Sequence, residues 1–218
     1  MSLAEPTPPG ARSAPDSGAE RILQAAARLF AERGYAGTSM QAIAEEAGVC
    51  KSNVFHHFAS KQALFEAVLD QASRDFRAEL SALASAGGTL EERLLAFLAG
   101  HLRVLNRHAA AARLLLREIR SADEARGREL AERIIAPSFV QVVELLRRAR
   151  EEGLIRPDAE LALAALLLLK INLFRFESAM VLKHLPEVGL GEDPLPFQRR
   201  MVALLVRGLC AAGEEGGR

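Results

Sequence analysis

Apolar residues recur every three or four positions along almost the whole chain, and no segment alternates as a half-buried strand would. Helix starts and stops punctuate this pattern. Ser17 with Glu20 forms a capping box for a first helix, which Gly34 ends with Tyr35 as its apolar follower. Thr38 and Gln41 are placed as a second capping pair, and Ile43, Ala44 and Ala47 give the short helix behind them one apolar face. Gly48 supplies a sharp turn. Val49, Val54 and Phe58 are the apolar residues of the next short helix, and Ser60 caps a longer one running to about Ala84. After Ala86-Gly87-Gly88, Thr89 with Glu92 opens a helix to about Arg107, and another spans about Ala110 to Arg120. A long helix runs from Asp123 to Glu152, kinked at Pro137 because a proline ring clashes with the carbonyl four residues back. Asp158 or Pro157 opens a very apolar helix ending near His184, and Asp193 caps the last one, which ends near Ala212.

The result is nine helices and an all-α fold. Residues 1–17 form a disordered arm by composition, 18–68 a small helical domain, 69–212 a larger bundle and 213–218 a solvated tail. The run from Leu161 is apolar on nearly every side, the mark of a buried helix. Lys170 ends it short of the ~20 residues a membrane span needs. With Met201, Val202, Leu204, Leu205, Val206 and Leu209 it offers more apolar surface than one bundle can cover. A homodimer pairing these two helices with their symmetry mates buries it, and Leu166, Phe174, Val202, Leu205 and Leu209 are the expected interface.

The small domain carries the chemistry. Two short helices joined at a glycine, the second with Lys51, Ser52, Asn53, Phe55 and His56 facing outward, form the layout that inserts a recognition helix into the DNA major groove. Acidic and basic residues balance at 28 each, so no global field attracts nucleic acid. From Gly48 to Lys61, however, there are two lysines, two histidines and no acid. So small a basic footprint predicts binding that needs two copies of the domain and falls with salt.

Thr38, Ile43, Ala44, Ala47, Gly48, Val49, Val54, Phe55, His57, Phe58, Lys61 and Leu64 spell, without a gap, a string similar to the DNA-binding domain of the TetR family of tetracycline-repressor-like regulators. With the Arg33-Gly34-Tyr35 ending of the first helix, the resemblance covers residues 20–68. The chain departs from the family at Cys50, where Ser or Thr is usual, and at Phe55, where Tyr is usual. The second change removes a hydroxyl that the resemblance assigns to a DNA phosphate.

On this reading Lys51 and Asn53 meet base edges, and His56 reaches a base or a phosphate. Thr38, Gln41, His57 and Lys61 hold phosphates, and Phe55 packs on a thymine methyl or sugar. The bland alternative is an ordinary solvated helix face. Cys50 stands at a helix N-cap, where a thiol is more acidic, but without a resolving partner it reads as a small substitute for serine. Two lone cysteines and an N-terminus without an apolar stretch suit a cytosolic protein.

In the larger domain Phe97, Leu116, Phe139, Phe176 and Met180, with polar His101, Arg120 and Asn172, are candidates for a small-molecule pocket beside the Pro137 kink. They serve equally well as core. Asn172 is also a candidate for bonds across the dimer seam, and His101 and His108 for polar surface or pocket lining. No spacing of histidines, cysteines and carboxylates suits a metal, and no nucleophile elbow or phosphate loop suggests an enzyme or a cofactor. The expected protein is therefore a homodimeric repressor, released from a palindromic double-stranded DNA operator by a small-molecule inducer. The alternative is an all-α sensor or interaction protein whose DNA motif has degenerated.

Overall fold

A computed structural model of the protein describes residues 18–83, 87–188, 191 and 193–210. The first capping pair at Ser17 and the ends of the chain lie outside these residues. The described residues contain helices and no strand. Ten α-helical segments occur: α1 (Gly18–Arg33), α2 (Met40–Ala47), α3 (Lys51–His57), α4 (Lys61–Leu83), α5 (Leu90–Arg107), α6 (Ala109–Ser121), α7 (Glu124–Leu130), α8 (Ala136–Glu151), α9 (Leu161–Leu182) and α10 (Leu195–Leu209). Because α7 and α8 run on through one irregular stretch, the ten segments make nine rods, as the apolar pattern predicts. The chain divides into two compact units between Val68 and Leu69, within α4.

In the first unit α1, α2, α3 and the start of α4 enclose Ile22, Phe30, Ile43, Val54, Leu64 and Phe65, none more than 1% exposed. Tyr35 joins this core edge-on to Phe65, their ring centroids 5.2 Å apart. The cap of α2 is one residue later than its sequence suggests. Ser39 Oγ accepts the Ala42 N–H at 3.0 Å, whereas Thr38 is buried and donates to the carbonyls of Leu29 (3.1 Å) and Gly34 (2.8 Å). Gln41 caps nothing and pairs with Glu45 on the surface. Gly48 has φ +65°, the left-handed region that glycine enters without steric cost, and Val49 N–H closes the turn onto Ala44.

In the second unit Phe76, Leu94, Phe97, Leu98, Val142, Leu146, Ala165, Leu168 and Val202 build one core from α4, α5, α8, α9 and α10. Thr89 and Glu92 complete their capping box, and the bond from the Thr89 N–H holds the Glu92 carboxyl below its usual range. The proline effect falls earlier than Pro137 itself. Residues Ala131–Ile135 widen into a π-helix, with the Ala136 N–H bonding to Ala131 O, and Pro137 stands in the first turn of α8. The widened turn accommodates both the missing N–H and the ring that an α-turn would drive into Arg133 O. The long helix thus becomes two α-helical segments joined by the π-helical stretch. The apolar helix begins at Leu161, three residues later than Asp158. It buries only one face, leaving Leu163 59%, Leu167 53% and Val181 67% exposed.

Candidate nucleic-acid interface

The α2–turn–α3 pair is held from behind by its apolar residues. Ile43, Ala44 and Val54 are buried, so the opposite face of α3 is free. On it Lys51, Ser52, Phe55 and His56 stand exposed. Lys51 Nζ lies 6.0 Å from the centre of the Phe55 ring one turn on. Cys50 is the N-cap, exposed and without a side-chain capping bond. Its sulfur is 3.1 Å from Ser52 Oγ, and that contact holds the thiol below its usual pKa.

Three of the nine residues expected at DNA are placed differently. Asn53 is half-buried, and its Oδ1 is buried without a partner. It points toward the start of α1, where a Cβ built on Gly18 would stand 3.3 Å from it and 3.7 Å from His57 Nε2. Asn53 therefore leaves the outward face to Lys51, Ser52 and His56. Thr38 spends its hydroxyl on carbonyls at the end of α1, which removes it from any phosphate. Lys61 bends back, donating to Tyr35 O at 2.8 Å and Thr38 O at 3.0 Å with its ammonium 4.3 Å over the Tyr35 ring. It staples the α1–α2 connection. His57 and Gln41 remain exposed.

Residues 22–68, the segment that forms this arrangement, match the family model described as bacterial regulatory proteins, tetR family. Over these residues the chain is similar to the TetR family. It is 36% identical over 106 residues to the HTH-type transcriptional repressor KstR2 of Mycolicibacterium smegmatis, a match covering 46% of this chain and 50% of that one. The chain therefore spans about half the length of that relative. Among solved structures, the ketosteroid transcriptional regulator KstR2 of Mycobacterium tuberculosis superposes with a TM-score of 0.65 at 23% identity, covering 90% of this chain and 96% of that one. The fatty acid degradation regulator FadR from Bacillus halodurans does so with a TM-score of 0.70 at 18% identity, covering 94% and 100%. These two similarities show the shared fold, which extends through the second unit of this chain.

In that second unit the expected pocket residues do not act together. Phe97 is fully buried in the core, and Leu116 is buried. Met180 is 72% exposed, turned away from any interior. Arg120 is exposed and pairs with Glu177 at 3.2 Å. Asn172 is neither at a seam nor open to a ligand: its Nδ2 donates to Leu98 O at 2.7 Å and its Oδ1 accepts from Gln198 at 3.0 Å. This buried triad ties α5, α9 and α10. Phe139 is half-buried against the core, and Phe176 carries the Arg113 guanidinium 5.4 Å from its centre. His101 is no surface residue. It is 5% exposed, its ring 4.7 Å from that of Phe76, and burial pushes its pKa down to about 4, so it is neutral. His108 pairs with Asp75 at 2.7 Å.

The proposed dimer residues divide as well. Val202 and Leu209 are buried within the protomer, while Leu205 packs on the same core and stays partly exposed. Leu166 and Phe174 are about half exposed, and Leu163, Leu167 and Leu204 join them outside. The 163/166/167 spacing was legible as helical, but which stripe of so apolar a helix faces inward was not. Among the described residues no helix is long and apolar enough to cross a membrane, and no group of three or more histidines, cysteines and carboxylates is placed to hold a metal.

Proposed function

We propose that this protein is a cytoplasmic, homodimeric transcriptional repressor of the TetR family, that its two α3 helices read a palindromic operator, and that a small molecule bound in the second unit releases it. The observation that carries the DNA half is the free face of α3. Lys51, Ser52 and His56 are exposed at the end of a helix whose other side is locked into the core by Val54. Paired helices of this kind enter successive major grooves about 34 Å apart. Lys51 and Ser52 are the base-edge readers, with His56, His57 and Gln41 on phosphates and Phe55 on a methyl or sugar. The dimer follows from the apolar band of Leu163, Leu166, Leu167 and Leu204, since a band this wide in water marks a protein interface. Catalysis has no part in this reading, in keeping with relatives that are transcription regulators.

The test is selection of duplexes from a random library by the full-length protein, followed by binding measured across salt. A selected palindrome bound about a thousandfold more tightly than random duplex supports the proposal. Lys51→Ala should then cost about 1–3 kcal/mol on that site and much less elsewhere. Salt-independent or undetectable duplex binding would instead establish the degenerate-motif alternative.

A further inference from the structure

Buried polar groups ordinarily find partners, so those that lack one point to something absent from the chain itself. Two lie in the second unit: His101 Nδ1 on α5 and Gln141 Oε1 on α8. Their helices, α5 and α8, both touch the same turn of α4. The His101 ring lies tilted against Phe76, with centroids 4.7 Å apart. Gln141 is one turn from Ser138, whose hydroxyl is 3.3 Å from that of Ser73, and Ser73 is one turn from Phe76. Ser73 also donates to Ile134 O, in the π-helical stretch, at 3.2 Å. A π-turn of this kind is frequent at functional sites.

Arg77 completes the group. It sits one turn from Ser73 on the same stripe of α4, is half-buried, and donates through Nη1 to Ser73 Oγ at 2.7 Å. The half-buried arginines of α5 and α7 are neutralised, Arg93 by Glu152 and Arg126 by Glu118 and Glu129. Among the described residues Arg77 is in no ion pair. A guanidinium fixed by a hydroxyl, with its other N–H groups uncommitted, suits the paired oxygens of a carboxylate. Phe76 precedes Arg77 on α4, and its ring packs with that of Phe97 and with that of a histidine that carries no charge. The rings are apolar, and Arg77, His101 and Gln141, with the hydroxyls of Ser73 and Ser138, supply the polar groups.

We propose that Arg77, with His101 and Gln141, forms the polar end of a ligand site between α4, α5 and α8 that takes an apolar carboxylic acid. This rests on the reading that the second unit binds a small molecule, and it specifies the chemistry. Arg77 holds the carboxylate, the phenylalanines flank the apolar body, and the orphan atoms of His101 and Gln141 bond to polar substituents or to waters carried in with it.

The experiment is calorimetric titration of the full-length protein with decanoate and with decan-1-ol, which differ only at the polar end. The acid should bind roughly tenfold or more tightly than the alcohol. Arg77→Gln should remove that preference while leaving the alcohol unchanged, and Arg77→Lys should retain part of it. Arg147→Gln, an exposed change on α8, should leave both affinities alone. Melting curves check that each variant is folded. Should Arg77→Gln not fold, loss of preference is read from Arg77→Lys alone, with no change overturning the proposal. Equal binding of acid and alcohol, or an unchanged preference in Arg77→Gln, overturns the carboxylate site but leaves the small-molecule reading standing. Failure of both probes to bind also overturns it, and stabilisation by a panel of neutral apolar compounds then decides separately whether the second unit is a sensor.

Discussion

Replacing Lys61 by methionine separates two roles that sequence alone assigns to one residue. In the structure its ammonium donates to Tyr35 O and Thr38 O and lies over the Tyr35 ring, so its loss strips donors from two carbonyls and removes a cation–π contact. Each bond involves a charged donor, but the site is only part-buried and water replaces some of what is lost. Methionine keeps most of the packing of the stem. The net cost is about 2 kcal/mol. Tyr35 is the single tyrosine and the chain has no tryptophan, so intrinsic fluorescence reports the first unit alone. With a urea slope of about 1 kcal/mol/M for so small a unit, the midpoint should fall by about 1–2 M. In mild buffer, where the unit stays folded, the salt dependence of DNA binding should keep its slope. A phosphate ligand behaves in the opposite way: the midpoint stays and the slope falls by about one unit. That second result would refute the staple and restore Lys61 to the DNA surface.

Other consequences are equally accessible. His101 has a folded pKa of about 4 against about 6.5 unfolded, so between those values the unfolded chain takes up a proton that the folded one does not. Stability should therefore fall as pH drops from about 6.5 to about 4, by as much as about 3 kcal/mol, and His101→Leu should flatten that dependence in urea titrations followed by circular dichroism. Asn172→Leu should cost about 2–3 kcal/mol by removing the nearer of two acceptors from Gln198 and the nearer of two donors from Leu98 O, and adding Gln198→Leu should change that loss non-additively. Leu204→Glu, at a position 65% exposed, should yield folded monomers by light scattering, and an intact dimer would place the seam elsewhere. Gly48→Val should destabilise the first unit by about 1–2 kcal/mol in the same fluorescence assay, because a branched side chain opposes its positive φ.

What the sequence by itself determined is whatever depends on neighbours along the chain. Helix caps at Ser60 and Thr89, the glycine turn at Gly48 and the three-to-four spacing of apolar residues all act within one or two turns, and they place nine rods without any tertiary information. The outward stripe Lys51, Ser52, Phe55 and His56 follows from the same local logic, with Val54 marking the inward side. Tertiary structure decided where individual side chains spend their bonds. Thr38, Lys61 and Asn172 meet carbonyls nine, 23 and 74 residues away, contacts that no local pattern encodes. On α9, apolar all round, periodicity carries no phase, and only packing against α5, α8 and α10 selects Leu168 for the core and Leu167 for the surface. The same holds for Val202 and Leu204 on α10. One is sealed and the other bare because two residues turn a helix by about 200°, and it is the neighbouring helices that set which side is inside.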